Sequence, residues 1–131
     1  MPYINIRIGT SLAQAQRDQL YDKTTMLMNI VMGKRREVTV VNIHESSPQL
    51  WAANAVALTP EDPIGAYVDI KVTEGTNTLD EKAEMLSQIV KMLRDVVGVV
   101  QEACYVVIDE IPASSWGYNG KTQAARAVSK L

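Results

Sequence analysis

The second residue is a proline, and its chemistry depends on the first. Removal of Met1 would turn Pro2 from a backbone amide into a secondary amine. Such an amine starts near pKa ~8 and is lowered by burial in an apolar, cation-lined pocket. A base poised near neutrality can accept a proton from an enol and return it at carbon. Kept inside the chain, Pro2 is a φ-restricted residue opening an edge strand. Three arginines could hold an anionic substrate near such a base, because a guanidinium fork receives a carboxylate through two parallel hydrogen bonds. Arg35 and Arg36 lie in the run Gly33-Lys34-Arg35-Arg36-Glu37, and Arg7 shares a strand face with Tyr3 and Asn5. The basic run reads equally as a solvated cluster favoured by a helix C-terminus, and Arg7 as a subunit-interface residue. Tyr105 is either a hydrogen-bond donor to a carbonyl or a packed strand residue. His44 has no companion ligands and Cys104 no partner cysteine, so neither a metal site nor an internal disulfide is expected. Cys104 reads as a small buried hydrophobe.

The rest of the composition sets bounds. The 131 residues suit one compact domain, with 47% hydrophobic and 21% charged residues. A net charge of -2 favours neither nucleic acid nor an anionic membrane. No apolar run is long enough to span a bilayer, and the opening Met1-Pro2-Tyr3-Ile4-Asn5 lacks signal-peptide regions. A cytoplasmic protein is the expectation. The six methionines read as adaptable core filling rather than metal ligands.

The elements that must position these residues come in two copies. Tyr3-Ile4-Asn5-Ile6-Arg7-Ile8 is echoed 64 residues later by Tyr67-Val68-Asp69-Ile70-Lys71-Val72, both with the period-two alternation of a strand buried on one face. A helical pattern follows each. In the second, Leu79, Ala83, Leu86, Val90, Leu93 and Val97 form one stripe, and Thr78 with Glu81 has capping-box spacing. In the first the stripe is Leu20/Tyr21, Thr24/Thr25, Leu27/Met28 and Val31/Met32. Gly33 and Gly98, 65 apart, stand where helices commonly end. Second strands are expected over 38–45 and 103–110. Their β-branched, apolar composition suits central strands buried on two faces. Glu45 and Glu110 repeat at the same offset, as do Trp51 and Trp116. The organisation is therefore α+β: repeats over 1–51 and 66–120 joined by a linker, 52–65, that carries Pro60, Pro63 and Gly65. Each β-α-β crossover makes a parallel pair. Two such units form a four-stranded sheet with both helices on one face and the other face uncovered, which calls for an oligomer.

These residues resemble a known family. The run Val106-Val107-Ile108-Asp109-Glu110-Ile111-Pro112-Ala113-Ser114-Ser115-Trp116-Gly117-Tyr118-Asn119-Gly120 and the opening Met1-Pro2-Tyr3-Ile4-Asn5-Ile6 resemble the 4-oxalocrotonate tautomerase family of the tautomerase superfamily, in particular its fused two-copy members. The resemblance implies a ferredoxin-like β-α-β arrangement, a homotrimer of fused chains, Pro2 as the catalytic base, and no metal or cofactor. It also implies an aromatic residue at the site mouth, which falls on Trp116 and Trp51. Ala66 occupies the second copy's proline position, so one competent site per chain is expected. The chain departs from the family at its arginines: those positions fall on Leu12 and near Thr76, and on Val40 and Tyr105. Arg35, Arg36 and Arg7 are the candidate replacements. The leading expectation is an isomerase that shuttles a proton on a small enol or unsaturated α-keto acid bearing a carboxylate. The alternatives are a hydratase or dehalogenase of unsaturated or halogenated acids, with Glu45 or Glu110 activating water, and a catalytically degenerate oligomeric binding protein.

Overall fold

The computed structural model describes residues 2–129. Met1, whose removal the amine chemistry of Pro2 requires, lies outside the described residues. The elements run β1 (Tyr3–Ile8), α1 (Gln14–Ile30), β2 (Val40–Glu45), β3 (Ala52–Ala53), β4 (Val56–Ala57), β5 (Ala66–Thr73), α2 (Leu79–Val96), β6 (Tyr105–Ile111), β7 (Gly117–Tyr118), β8 (Lys121–Thr122) and α3 (Gln123–Ser129). Short 3-10 turns span Arg36–Val38 and Pro48–Leu50.

The alternating segments form the middle of the sheet. Strand order is β2-β1-β5-β6, parallel within each repeat and antiparallel between β1 and β5. Ile4, Ile6 and Ile8 of β1 and Val68, Ile70 and Val72 of β5 are fully buried under the helices. Each such burial is worth roughly 1.5–3 kcal/mol, which pins both strands' register. Helices α1 and α2 pack on each other and on this one sheet face. The opposite face is open and exposes Val40, Tyr105 and Val107.

Local signals are realised where chemistry is local. Thr78 caps α2 with both capping-box bonds, Glu81 N to its hydroxyl at 3.1 Å and its own N to Glu81 Oε1 at 2.8 Å. Gly33 and Gly98 have φ of +70° and +128°, a region that favours glycine at a helix end. Met28, Met32, Met85 and Met92 are core residues, and Thr24 Oγ1 donates to Met92 Sδ at 3.3 Å.

Three expectations are corrected. The strands expected to be central, β2 and β6, are the edges. Their apolar residues serve one helix-covered face, through Val41, Ile43, Val106 and Ile108, and one open face. They also start later than expected, at Val40 and Tyr105; before β2 the chain turns at Arg36–Val38. The buried face of α2 is Met85, Ile89, Met92, Leu93 and Val96, whereas Leu79 is 80% exposed and Leu86 faces outward too. The segment 52–65 opens with the β3–β4 hairpin, the counterpart of β7–β8 at the 65-residue offset. Among the described residues no helix is long and apolar enough to cross a membrane.

Candidate active site

Pro2 opens β1 and is buried. Its carbonyl accepts the Val40 N–H at 3.4 Å, so it lies against the start of β2. On its other side the pairing of Tyr3 with Lys71 puts Thr73 just beyond the head of β1. Trp116 docks there, its indole Nε1 donating to Thr73 Oγ1 at 3.1 Å. Pro2 and Trp116 thus share one end of the sheet. Arg35 and Arg36 enter the same end on the turn before β2. Both are exposed, and they pair loosely with Glu37 at 3.4 Å and Asp22 at 3.7 Å. Exposed pairs of this kind hold little free energy, so either guanidinium can exchange its partner for a ligand carboxylate.

The third cation of that run behaves differently. Lys34 is buried at 8% relative exposure, and its Nζ donates to Thr76 Oγ1 at 2.8 Å. Thr76 lies between β5 and α2, so the lysine side chain ties together the two connections that flank the head of β1. Burial pushes the Lys34 pKa down, opposed by the negative charges of Glu81 and Glu110. Within the run, then, Arg35 and Arg36 face water and Lys34 does not. The run lies between helix and strand, where no periodicity signals which residue turns inward.

Arg7, Tyr105 and Trp51 are at the opposite end. Arg7 is five steps along the strand from Pro2, roughly 17 Å at strand rise. Arg7 stands on the open face between His44 and Tyr67, and Tyr67 pairs with Tyr105. Trp51 packs on Gly9 and Gly65 and donates from Nε1 to Ser46 Oγ at 2.8 Å. Within one chain the candidates split into two groups, Pro2, Trp116, Arg35 and Arg36 at one end and Arg7, Tyr105 and Trp51 at the other. Residue type and spacing could not reveal this, because it follows from strand direction and register.

The two glutamates considered for water activation are committed elsewhere. Glu45 accepts from Arg17 Nε and from the Leu12 N–H, both at 2.7 Å. Glu110 accepts from Lys82 Nζ at 2.8 Å. The Arg17 and Lys82 hydrogen bonds, supported by the Leu12 and Gly75 backbone N–H groups, hold these carboxyls below the usual glutamate range. Each pins a β-α loop to the end of its strand. Cys104 is half-buried against the core, and burial raises its thiol pKa.

Residues 67–126 match the family model described as tautomerase enzyme. The probable tautomerase K2 of Dickeya dadantii (strain 3937) is 27% identical over 60 residues, covering 46% of this chain and 90% of that protein. The crystal structure of Pt0534 inactivated by 2-oxo-3-pentynoate superposes with a TM-score of 0.83 at 17% identity, covering 95% of this chain and 98% of that one. A symmetric trimer of wild-type fused 4-OT superposes with a TM-score of 0.84, again at 17% identity and with the same coverage. The α+β fold of the chain is that of these two solved structures.

Proposed function

We propose that this chain, a member of the tautomerase superfamily, interconverts keto and enol forms of a small carboxylate-bearing substrate, with the amine of Pro2 as the proton carrier. The observation that carries the proposal is the placing of Pro2: buried at a strand head, with Lys34, Arg35 and Arg36 on the segment beside it and Trp116 across from it. After loss of Met1, the Pro2 nitrogen takes the enol O–H proton and delivers it to carbon, so the amine is regenerated and no cofactor is consumed. Nearby cations and a dry surrounding lower the amine pKa toward neutrality, where it serves both steps. Lys34 supplies fixed positive charge inside the site, and Arg35 or Arg36 closes on the substrate carboxylate. Trp116 keeps water from the amine. Arg7, Tyr105 and Trp51 stand at the other end of the sheet and are not part of the Pro2 site within one chain. A trimer of chains is the assembly proposed. It would cover the open sheet face, where Asn5 Oδ1 is buried without a hydrogen-bond partner among the described residues.

The test has two parts. Mass spectrometry of native protein should show a chain beginning at Pro2, and 2-oxo-3-pentynoate, the compound on the inactivated Pt0534, should add its mass to the N-terminal peptide. Phenylenolpyruvate ketonisation should then fall about 10²-fold or more in Pro2→Ala, the usual contribution of a positioned acid–base group. Retained Met1, or an unchanged rate in Pro2→Ala, refutes the proposal. Activity confined to haloacrylates would favour hydration or dehalogenation instead.

A further inference from the structure

The second repeat has kept a cavity at the place corresponding to Pro2 and has lost the charge around it. A cavity of about 380 Å³ opens at the head of β5, lined among others by Trp51, Asn54, Ala66, Tyr67, Gln101 and Tyr105. The internal repeat gives each residue a counterpart. Ala66 stands for Pro2 at the offset of 64, and Tyr105, Gln101 and Trp51 stand for Val40, Arg36 and Trp116 at the offset of 65. The register agrees, since Tyr3 pairs with Val40 and Tyr67 with Tyr105.

The charged positions are the ones lost. Lys34-Arg35-Arg36 becomes Val99-Val100-Gln101. The base position becomes an internal alanine, whose amide nitrogen has no basicity. Upstream of it the chain is tied down, Ile64 exchanging backbone hydrogen bonds of 2.8 Å with Val99 O and Gln101 N. Aromatic surface is gained at the same time, with Tyr105 in place of valine. Gln101 donates its side-chain Nε2 to the Pro63 carbonyl at 2.7 Å and keeps its oxygen as an acceptor. The volume falls within the usual range for small-molecule sites, and aromatic walls with a few amides suit a planar, neutral ligand.

We propose that this cavity is a second, non-catalytic binding site for an uncharged aromatic molecule bearing an amide, hydroxyl or ketone. It is independent of the chemistry assigned to Pro2. Each half of the chain holds one tryptophan, so the two indole N–H resonances of the assembled, full-length protein report the two sites separately. Benzamide, titrated into ¹⁵N-labelled protein, should move the Trp51 indole signal, identified through Trp51→Phe, and leave that of Trp116 in place. Isosteric benzoate should bind there at least about tenfold more weakly, because no cation lines the cavity. Ala66→Leu, which fills the space, should abolish the shift. Tyr105→Ala, which removes a side chain outside the core under the helices, should weaken benzamide several-fold, and Pro2→Ala should leave binding unchanged. Benzoate binding as tightly as benzamide, a shift at Trp116 instead of Trp51, or undiminished binding in Tyr105→Ala would each overturn the proposal.

Discussion

Gly65→Ala tests whether Trp51 is wedged between the two repeats as tightly as the geometry requires. A methyl group at position 65 would lie 2.6 Å from Trp51 Cδ2 and 2.7 Å from Cε3. Carbon atoms settle at about 3.5–4.0 Å, so the ring must retreat by roughly 1 Å. It is not at liberty to do so. Its Nε1 is bonded to Ser46 Oγ, and Cδ1 lies close enough to Gly9 that a methyl there would sit 2.8 Å away. Retreat loses a hydrogen bond worth about 1 kcal/mol and adds overpacking of about 1–3 kcal/mol, or about 2–4 kcal/mol together. For a chain of this length that lowers the melting temperature by roughly 6–15 °C. Thermal and urea unfolding measure it, and a double-mutant cycle assigns it. In a Trp51→Ala background the same Gly65→Ala should be neutral or slightly stabilising, because the ring it strikes is gone and alanine restricts the unfolded chain. A melting temperature that moves by less than about 1 °C in the single variant, or falls equally in both backgrounds, would refute the wedge.

Two further outcomes follow from the charged residues. Glu45 and Glu110 have folded-state pKa values below the ordinary glutamate value of 4.5, so their contribution is complete above that pH and drains away as pH falls through the folded values. Urea midpoints between pH 6 and 3 should therefore fall less steeply in Glu45→Gln and Glu110→Gln, and parallel curves would show that the carboxylates carry no such linkage. Lys34→Met should leave thermal stability unchanged or raise it by about 1–2 kcal/mol, because it relieves a desolvated ammonium, while kcat/KM on a carboxylate-bearing enol drops about tenfold or more. A loss of stability together with unchanged turnover would make Lys34 a structural strap only.

What could be read from the chain was whatever is decided locally. Ile4, Ile6 and Ile8 announce a one-faced strand because the pleat has period two. Thr78 with Glu81, and Gly33 and Gly98, announce helix ends because a cap involves only a few residues. The buried face of α2 was missed for a physical reason. Leu79, Leu86 and Leu93 make a helical stripe, and Met85, Ile89, Met92 and Val96 make another about a quarter-turn away. Which one meets the core depends on how the helix lies on the sheet. The edge position of β2 and β6 is non-local in the same sense. The candidate site suffered most, because Pro2 and Arg7 are named by one strand yet stand at its two ends, and Lys34 turns inward from a run whose pattern does not say which residue does so.

The sequence match and the proposed chemistry fall in different halves, and that separation bears on how function passes between such proteins. The matched residues, 67–126, begin just after Ala66 and therefore describe the repeat that has no proline at its head. What they share with relatives is the scaffold: β5, the capped α2, β6 and the hairpin carrying Trp116. Trp116 donates to Thr73 of its own repeat, and because β5 runs past the head of β1 there, this sets the indole beside Pro2's end of the sheet. On the proposed reading the matched half furnishes a wall for the site of the other half, while the proposed base, Pro2, and the Lys34–Arg36 cations belong to the half outside the match. A duplicated fold can let one copy drift in sequence around retained chemistry because the other still supplies the complementary surface. On this argument the activity should be sought by altering residues 2 and 34–36, and likeness in the second repeat is a statement about architecture.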